Sequence, residues 1–223
     1  AGAAASEEGV RNPMASLPHA QRWMISACAV GVPLSAIGAL YPSNTWLQVG
    51  PVALFLPVAI AALRRWPISN AAAGCITAFV LLHLLAARWS YSFVPYQDWL
   101  GIADGPTTER NMFDRLVHFL FGVLAVLPFS DIAVRHGGLT RRQAFSGALL
   151  FVLAVGGFYE IFEWSLTIAL SPADAGAYNG EQGDIFDSQK DMAIAALGAL
   201  VVLPWVAFGW TGLTRNENGS SLV

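Results

Sequence analysis

The sequence has 223 residues, 55% of them hydrophobic and 12% charged, with a net charge of −3 and a mean hydropathy of +0.52. A soluble domain carries about 25% charged residues, so half that share, set between long apolar runs, excludes an ordinary soluble domain and points to an integral membrane protein. No basic tract interleaved with aromatics is present, which argues against nucleic acid as a partner, and the alternating pattern of an outer-membrane barrel is missing, which leaves helices as the spanning element.

The expected fold is therefore all-α: a polytopic membrane helical bundle of about six transmembrane helices, each roughly 20 residues long. The segment Ala1 to Pro13 is small, polar and aperiodic, precedes Met14, and reads as non-native or disordered. A single transmembrane domain is expected over 14–215, followed by a tail over 216–223 that ends like an engineered linker. Span one is predicted over 22–40 and closes on the turn residues Tyr41-Pro42-Ser43-Asn44. Span two is predicted over 46–63, with Pro51 and Pro57 inside it, and span three over 71–89, carrying His83 and Arg88. An aromatic connection, Ser90 to Trp99, suits a headgroup zone. Span four is predicted over 112–129 and a long span five over 142–170. An acidic, Gly/Ala-rich loop, 171–183, leads into span six over 187–208. Cys28 and Cys75 lie inside apolar runs without a CxxC spacing and read as small core residues.

Orientation follows from the basic residues. Arg22, Arg64, Arg65, Arg135, Arg141, Arg142 and Arg215 mark one set of ends, and Arg88, Arg110, Arg115 and Lys190 the other. The larger set predicts the cytoplasmic side, which puts both termini inside and the acidic loop outside.

On that topology the ionisable residues sort by depth. His83 and Arg88 near the end of span three, Asp114 and His118 at the start of span four, Glu160 and Glu163 late in span five, and Asp184, Asp187 and Asp191 at the start of span six all fall in the outer half of the membrane. Asp114 and His118 are four apart and Glu160 and Glu163 three apart, so each pair shares a helical face; the three aspartates form one stripe. Charge in a bilayer is rare and turns towards a partner, a cavity or a function.

Four readings of this cluster stay open. The first is a divalent metal site, with Asp114, His118, Glu160, Glu163, Asp184, Asp187 and Asp191 as candidate ligands for Zn, Mn, Fe or Mg. The second is a metal-free pocket for a lipid headgroup, glycan or small solute, in which Arg115, Tyr159 and Lys190 bind the ligand and Asp114, His118, Glu160 and Glu163 act as acid and base. The third is an ion- or proton-coupled carrier. The fourth is a salt-bridge network that fixes helix register. Enzyme chemistry and oligomeric state are left open. Taken alone, His83 reads as a core histidine, and Tyr159, Trp164 and Trp99 as packing or interfacial aromatics. Gly156-Gly157 reads as a close helix approach, and Gly180 and Gly183 as turn residues. No GxGxxG, P-loop, HExxH or GxSxG motif occurs.

Three blocks carry a resemblance: Asp114-Arg115-Leu116-Val117-His118-Phe119, Tyr159-Glu160-Ile161-Phe162-Glu163-Trp164, and Gly183 through Met192. In this order they resemble the YjdF-like bacterial inner-membrane proteins, from about 71 to 206. A looser pattern, with Asp191 followed by Gly198-Ala199, is similar to VanZ-like proteins. The resemblance implies a multispanning protein of a bacterial inner membrane. It brings no established reaction with it. The functional expectation is a periplasm-facing acidic and histidine-bearing cavity that binds or processes an envelope lipid or small molecule.

Overall fold

A computed structural model describes residues 14, 16–101 and 110–213, with backbone alone at 173 and 206–213. Ala1 to Pro13, Arg215 and the tail 216–223 lie outside the described residues. Six long helices stand where the apolar runs predict them: α1 (His19–Ala36), α2 (Pro42–Arg65), α3 (Asn70–Arg88), α5 (Phe113–Arg135), α6 (Arg141–Ala169) and α8 (Asp187–Leu213). Two short helices lie between them, α4 (Tyr96–Leu100) in the aromatic connection and α7 (Pro172–Asn179) in the acidic loop. Among the described residues, α2, α3, α5 and α6 are long and apolar enough to cross a membrane. Helix α1 is the shortest of the six, and α8 opens with Asp187, Lys190 and Asp191 in its first turns.

The bundle is inverted relative to a soluble protein. Large apolar side chains such as Leu54, Phe55, Phe158, Ile168 and Trp205 point outwards, whereas the interior holds alanines (Ala72, Ala86, Ala148, Ala195, Ala199) and polar groups. Lipid solvates the outer face, and small residues let backbones approach inside. The tightest approach joins α5 to α8. A Cβ placed on Gly122 would overlap the Ala195 carbonyl, and one on Gly198 would overlap the Phe119 carbonyl. Gly156 and Gly157 differ from the expected close approach: a Cβ there would meet Met192 at 3.8 and 3.7 Å, an ordinary contact.

Short connections make sequence neighbours antiparallel, so the helix ends collect at two poles. One pole is fastened by a polar latch that the sequence reading did not single out. Asp131 on α5 is fully buried, accepts from the Ser69 amide at 2.8 Å and pairs with Arg135 at 2.8 Å. Gln21 donates to the Ile68 carbonyl at 3.0 Å at the same end. Asp131 and Arg135 do stand four apart, and that spacing is the signal that could have found the pair. Helix starts follow local chemistry: Thr140 and Gln143 form a capping box on α6, Ser69 caps α3 and Ser171 caps α7. The second pole gathers the end of α3, the start of α5, the end of α6 and the start of α8, and it carries the candidate site.

Candidate functional site

At that pole the side chains divide into two groups. The first is an ion-paired rim. Arg115 donates to Asp184 at 2.5 Å and to Asp187 at 3.3 Å, Lys190 donates to Asp184 at 2.6 Å, and Arg110 pairs with Asp187. Asp184 precedes α8 in a turn instead of extending the helical stripe, while Asp187 opens the helix, where the macrodipole favours it. The Lys190 ammonium, then the Phe186 amide and Arg115, hold the Asp184 carboxyl down at about 2. Gly180 and Gly183 adopt φ +66° and +85° in this turn, as the turn reading predicts, and Gly180 abuts Ser92. Asn111 and Gln182 clasp the two loops together, with Asn111 N donating to Gln182 Oε1 at 2.7 Å.

The second group lies deeper. One ligand atom each from Asp114, His118 and Asp191 lie within 4.8 Å of one another, and all three residues are buried. His118 Nε2 stands 3.6 Å from Asp114 Oδ1 and 3.9 Å from Glu160 Oε1. Helix geometry aims these groups: on α6, Glu160 is 7% exposed while Phe158, two residues earlier, is 74% exposed. Among the described residues, two buried carboxylate oxygens, Glu160 Oε1 and Asp191 Oδ1, have no hydrogen-bond partner. Arg115 Nε approaches Asp191 at 3.9 Å, too far for a hydrogen bond.

The sequence-predicted site residues therefore separate. Asp114, His118, Asp191 and Glu160 come together in the interior. Asp184, Asp187, Arg115 and Lys190 form the rim, and Lys190 is exposed. Glu163, half-buried, lines a small polar cleft of about 80 Å³ with Glu160, Asn179, Asp187 and Ser188. Tyr159 packs edge-on to His118, with ring centroids 6.1 Å apart.

Three tyrosines surround the cluster, and two of them carry no sequence signal. Tyr178 on α7 is buried; burial and the nearby Glu163 charge raise the pKa of its hydroxyl. Tyr91 lies in the connection that reads as interfacial, yet it is buried. Burial, then the charge of Asp114, raises its pKa well above the ordinary value. Ser90 and Tyr91 both hold positive φ, +44° and +55°, a conformation that costs a non-glycine residue energy. That backbone turns the Tyr91 hydroxyl onto His83 Nδ1, and His83 Nε2 meets the Gln48 carbonyl at 3.0 Å. His83 is thus a satisfied histidine, as its single-residue reading predicts.

Chemically, the interior group is a mixed carboxylate and imidazole donor set with spare acceptor atoms. Arg110, Arg115 and Lys190 pair with Asp184 and Asp187 at the rim, while Asp114, Glu160 and Asp191 lie deeper beside His118.

The family described as "Predicted membrane protein (DUF2238)" matches residues 20–211 of this chain. The chain is also 31% identical over 169 residues to the "Inner membrane protein YjdF" of Escherichia coli (strain K12), a match covering 73% of this chain and 78% of that protein. Neither match bears the VanZ-like name. No solved structure matches the chain.

Proposed function

We propose a function from one premise: the chain belongs to the DUF2238 family of predicted membrane proteins and is a multi-pass inner-membrane protein. On this reading Asp114, His118 and Asp191, with Glu160 as a fourth donor, hold a divalent cation. The cation presents a Lewis-acidic face to an oxygen-bearing molecule of the cell envelope. The basic-residue pattern supports placing this pole on the periplasmic side.

The observation that carries the reading is the buried triangle of donor atoms within 4.8 Å, beside two carboxylate oxygens without a hydrogen-bond partner among the described residues. Buried acceptors are normally satisfied, and leaving one bare costs about 1–3 kcal/mol. Two like charges near 4.8 Å repel by about 3 kcal/mol at an effective dielectric of ~20. A cation at the centre offsets both terms. One imidazole among carboxylates fits Zn, Mn or Fe better than Mg. When bound, the cation would polarise a ligand oxygen. Glu160 Oε1 stands 3.9 Å from His118 Nε2, within reach of the same cation.

The test is elemental analysis of the purified protein. A divalent transition metal near one equivalent is expected, lost in His118→Ala and in Asp191→Asn. Folded protein that stays metal-free after incubation with zinc and with manganese would overturn the reading. A second reading, a purely structural ion network, is favoured at the rim by the Arg110, Arg115 and Lys190 pairs, and there it stands beside the first without conflict.

A further inference from the structure

A cavity of about 270 Å³ adjoins the buried cluster, with His118 in its wall. Its polar lining is confined to His83, Tyr91, His118 and Tyr159; the rest is apolar, including Val52, Phe79, Phe121 and Val155. The two kinds of lining are ordered along the helices. Phe79 lies four residues, ~6 Å, deeper than His83, Phe121 about 4.5 Å deeper than His118, and Val155 ~6 Å deeper than Tyr159. One end is polar and continuous with the acid cluster, and the other is apolar. Far more space exists than the ~10–15 Å³ that one water needs, yet a water wants two to four polar partners, and the deep end has none.

Helices α2 and α6 supply opposite walls, Val52 on one side and Val155 with Gly156 on the other, without packing extensively on each other. Phe158, three residues on from Val155, is exposed on the outer face of α6. Gly156, which α8 does not require to be small, keeps the slot wide.

We infer that this slot takes the apolar chain of an oxygen-headed lipid, with its head at His118. This rests on the cation reading for the head alone; the chain slot stands on its own geometry. Tyr91, held by His83 and by its left-handed backbone, and Tyr159 supply hydroxyls at the boundary between head and chain. Arg115 and Lys190, already engaged by Asp184, are not the groups that receive the head.

The test uses photoactivatable hexadecanoic acid with a diazirine in mid-chain, added to the full-length protein in detergent, followed by peptide mapping. Labelling should be saturable, compete with unlabelled hexadecanoic acid, and map to α3, α5 and α6 around Val80, Phe121 and Val155. Val155→Trp, and independently Val52→Phe on the opposite wall, should each cut the specific label at least fivefold while metal content and the unfolding transition stay unchanged. Label spread over the outward helix faces, or a specific label unmoved in both variants that remain folded, would overturn the slot. If His118→Ala loses the metal but keeps the saturable label, the slot stands and the cation does not hold the head. If wild-type protein holds metal but shows no saturable label, the slot fails and the cation reading survives.

Discussion

Replacing Gly122 by alanine tests whether the α5–α8 contact builds the site. The added Cβ would overlap the Ala195 carbonyl, a backbone atom with no rotamer to escape into. Restoring ordinary contact with that oxygen needs a shift of roughly 1.5 Å between the two helices. Overpacking of this kind costs about 1–3 kcal/mol. The same displacement reaches the site, because Asp114 on α5 and Asp191 on α8 are two of the three buried donors. Metal–ligand distances tolerate about 0.2 Å, and misplacing supporting geometry typically lowers affinity about 10–100-fold. Chemical unfolding in detergent micelles and competition against a coloured chelator would read the two effects. Gly157→Ala is the control: its Cβ would meet Met192 Sδ at 3.7 Å, so stability and metal affinity should stay near wild type. If Gly122→Ala matches Gly157→Ala in both assays, the tight α5–α8 contact is wrong.

Three further outcomes follow from the same geometry. Asp184 is held from 3.8 down to about 2, so its contribution is fully present above its unfolded value and is lost as pH falls through about 2. Acid unfolding monitored by circular dichroism should show a shallower loss in that window for Asp184→Asn than for wild type; identical curves would refute the clasp. Asp131→Ala should destabilise the bundle by about 1–3 kcal/mol, since it removes the acceptor of the buried Ser69 amide, yet leave metal stoichiometry unchanged in the folded fraction. Asp187→Asn should weaken the rim at Arg110 and Arg115 with metal retained, whereas Asp191→Asn should lose the metal; equal metal loss in both would erase the division between rim and interior.

The helices were legible because a bilayer imposes one strong signal, an apolar run of fixed length, and each expected run became a helix within a few residues. Depth sorting also survived: charges from α5, α6 and α8 do share a pole. What periodicity could not supply was the partition among them. A stripe through Asp184, Asp187 and Asp191 assumes a helix that begins early, whereas Gly183 at φ +85° leaves Asp184 in a turn, within reach of Lys190. Which acid meets which cation depends on how close α5 and α8 come, and that is set by Gly122 and Gly198 against backbone carbonyls. Gly156-Gly157, the more conspicuous pair in the sequence, does not make that contact. Tyr91 reads as interfacial because aromatic-rich connections usually are; two consecutive residues at positive φ fold it inwards instead, and no composition rule announces that. Asp131 differs: its i,i+4 partner Arg135 is legible in the sequence, but its role as acceptor for the Ser69 amide depends on tertiary contact.

A cation shared by Asp114, His118, Asp191 and Glu160, as proposed, has a direct spectroscopic signature. X-ray absorption at the zinc edge on zinc-loaded protein reads that set directly. A mixed shell of oxygens and a single imidazole nitrogen is expected, with zinc–nitrogen at ~2.0–2.1 Å and the imidazole signal absent in His118→Ala. A shell without imidazole in the wild-type protein, or one unchanged by that substitution, would contradict it.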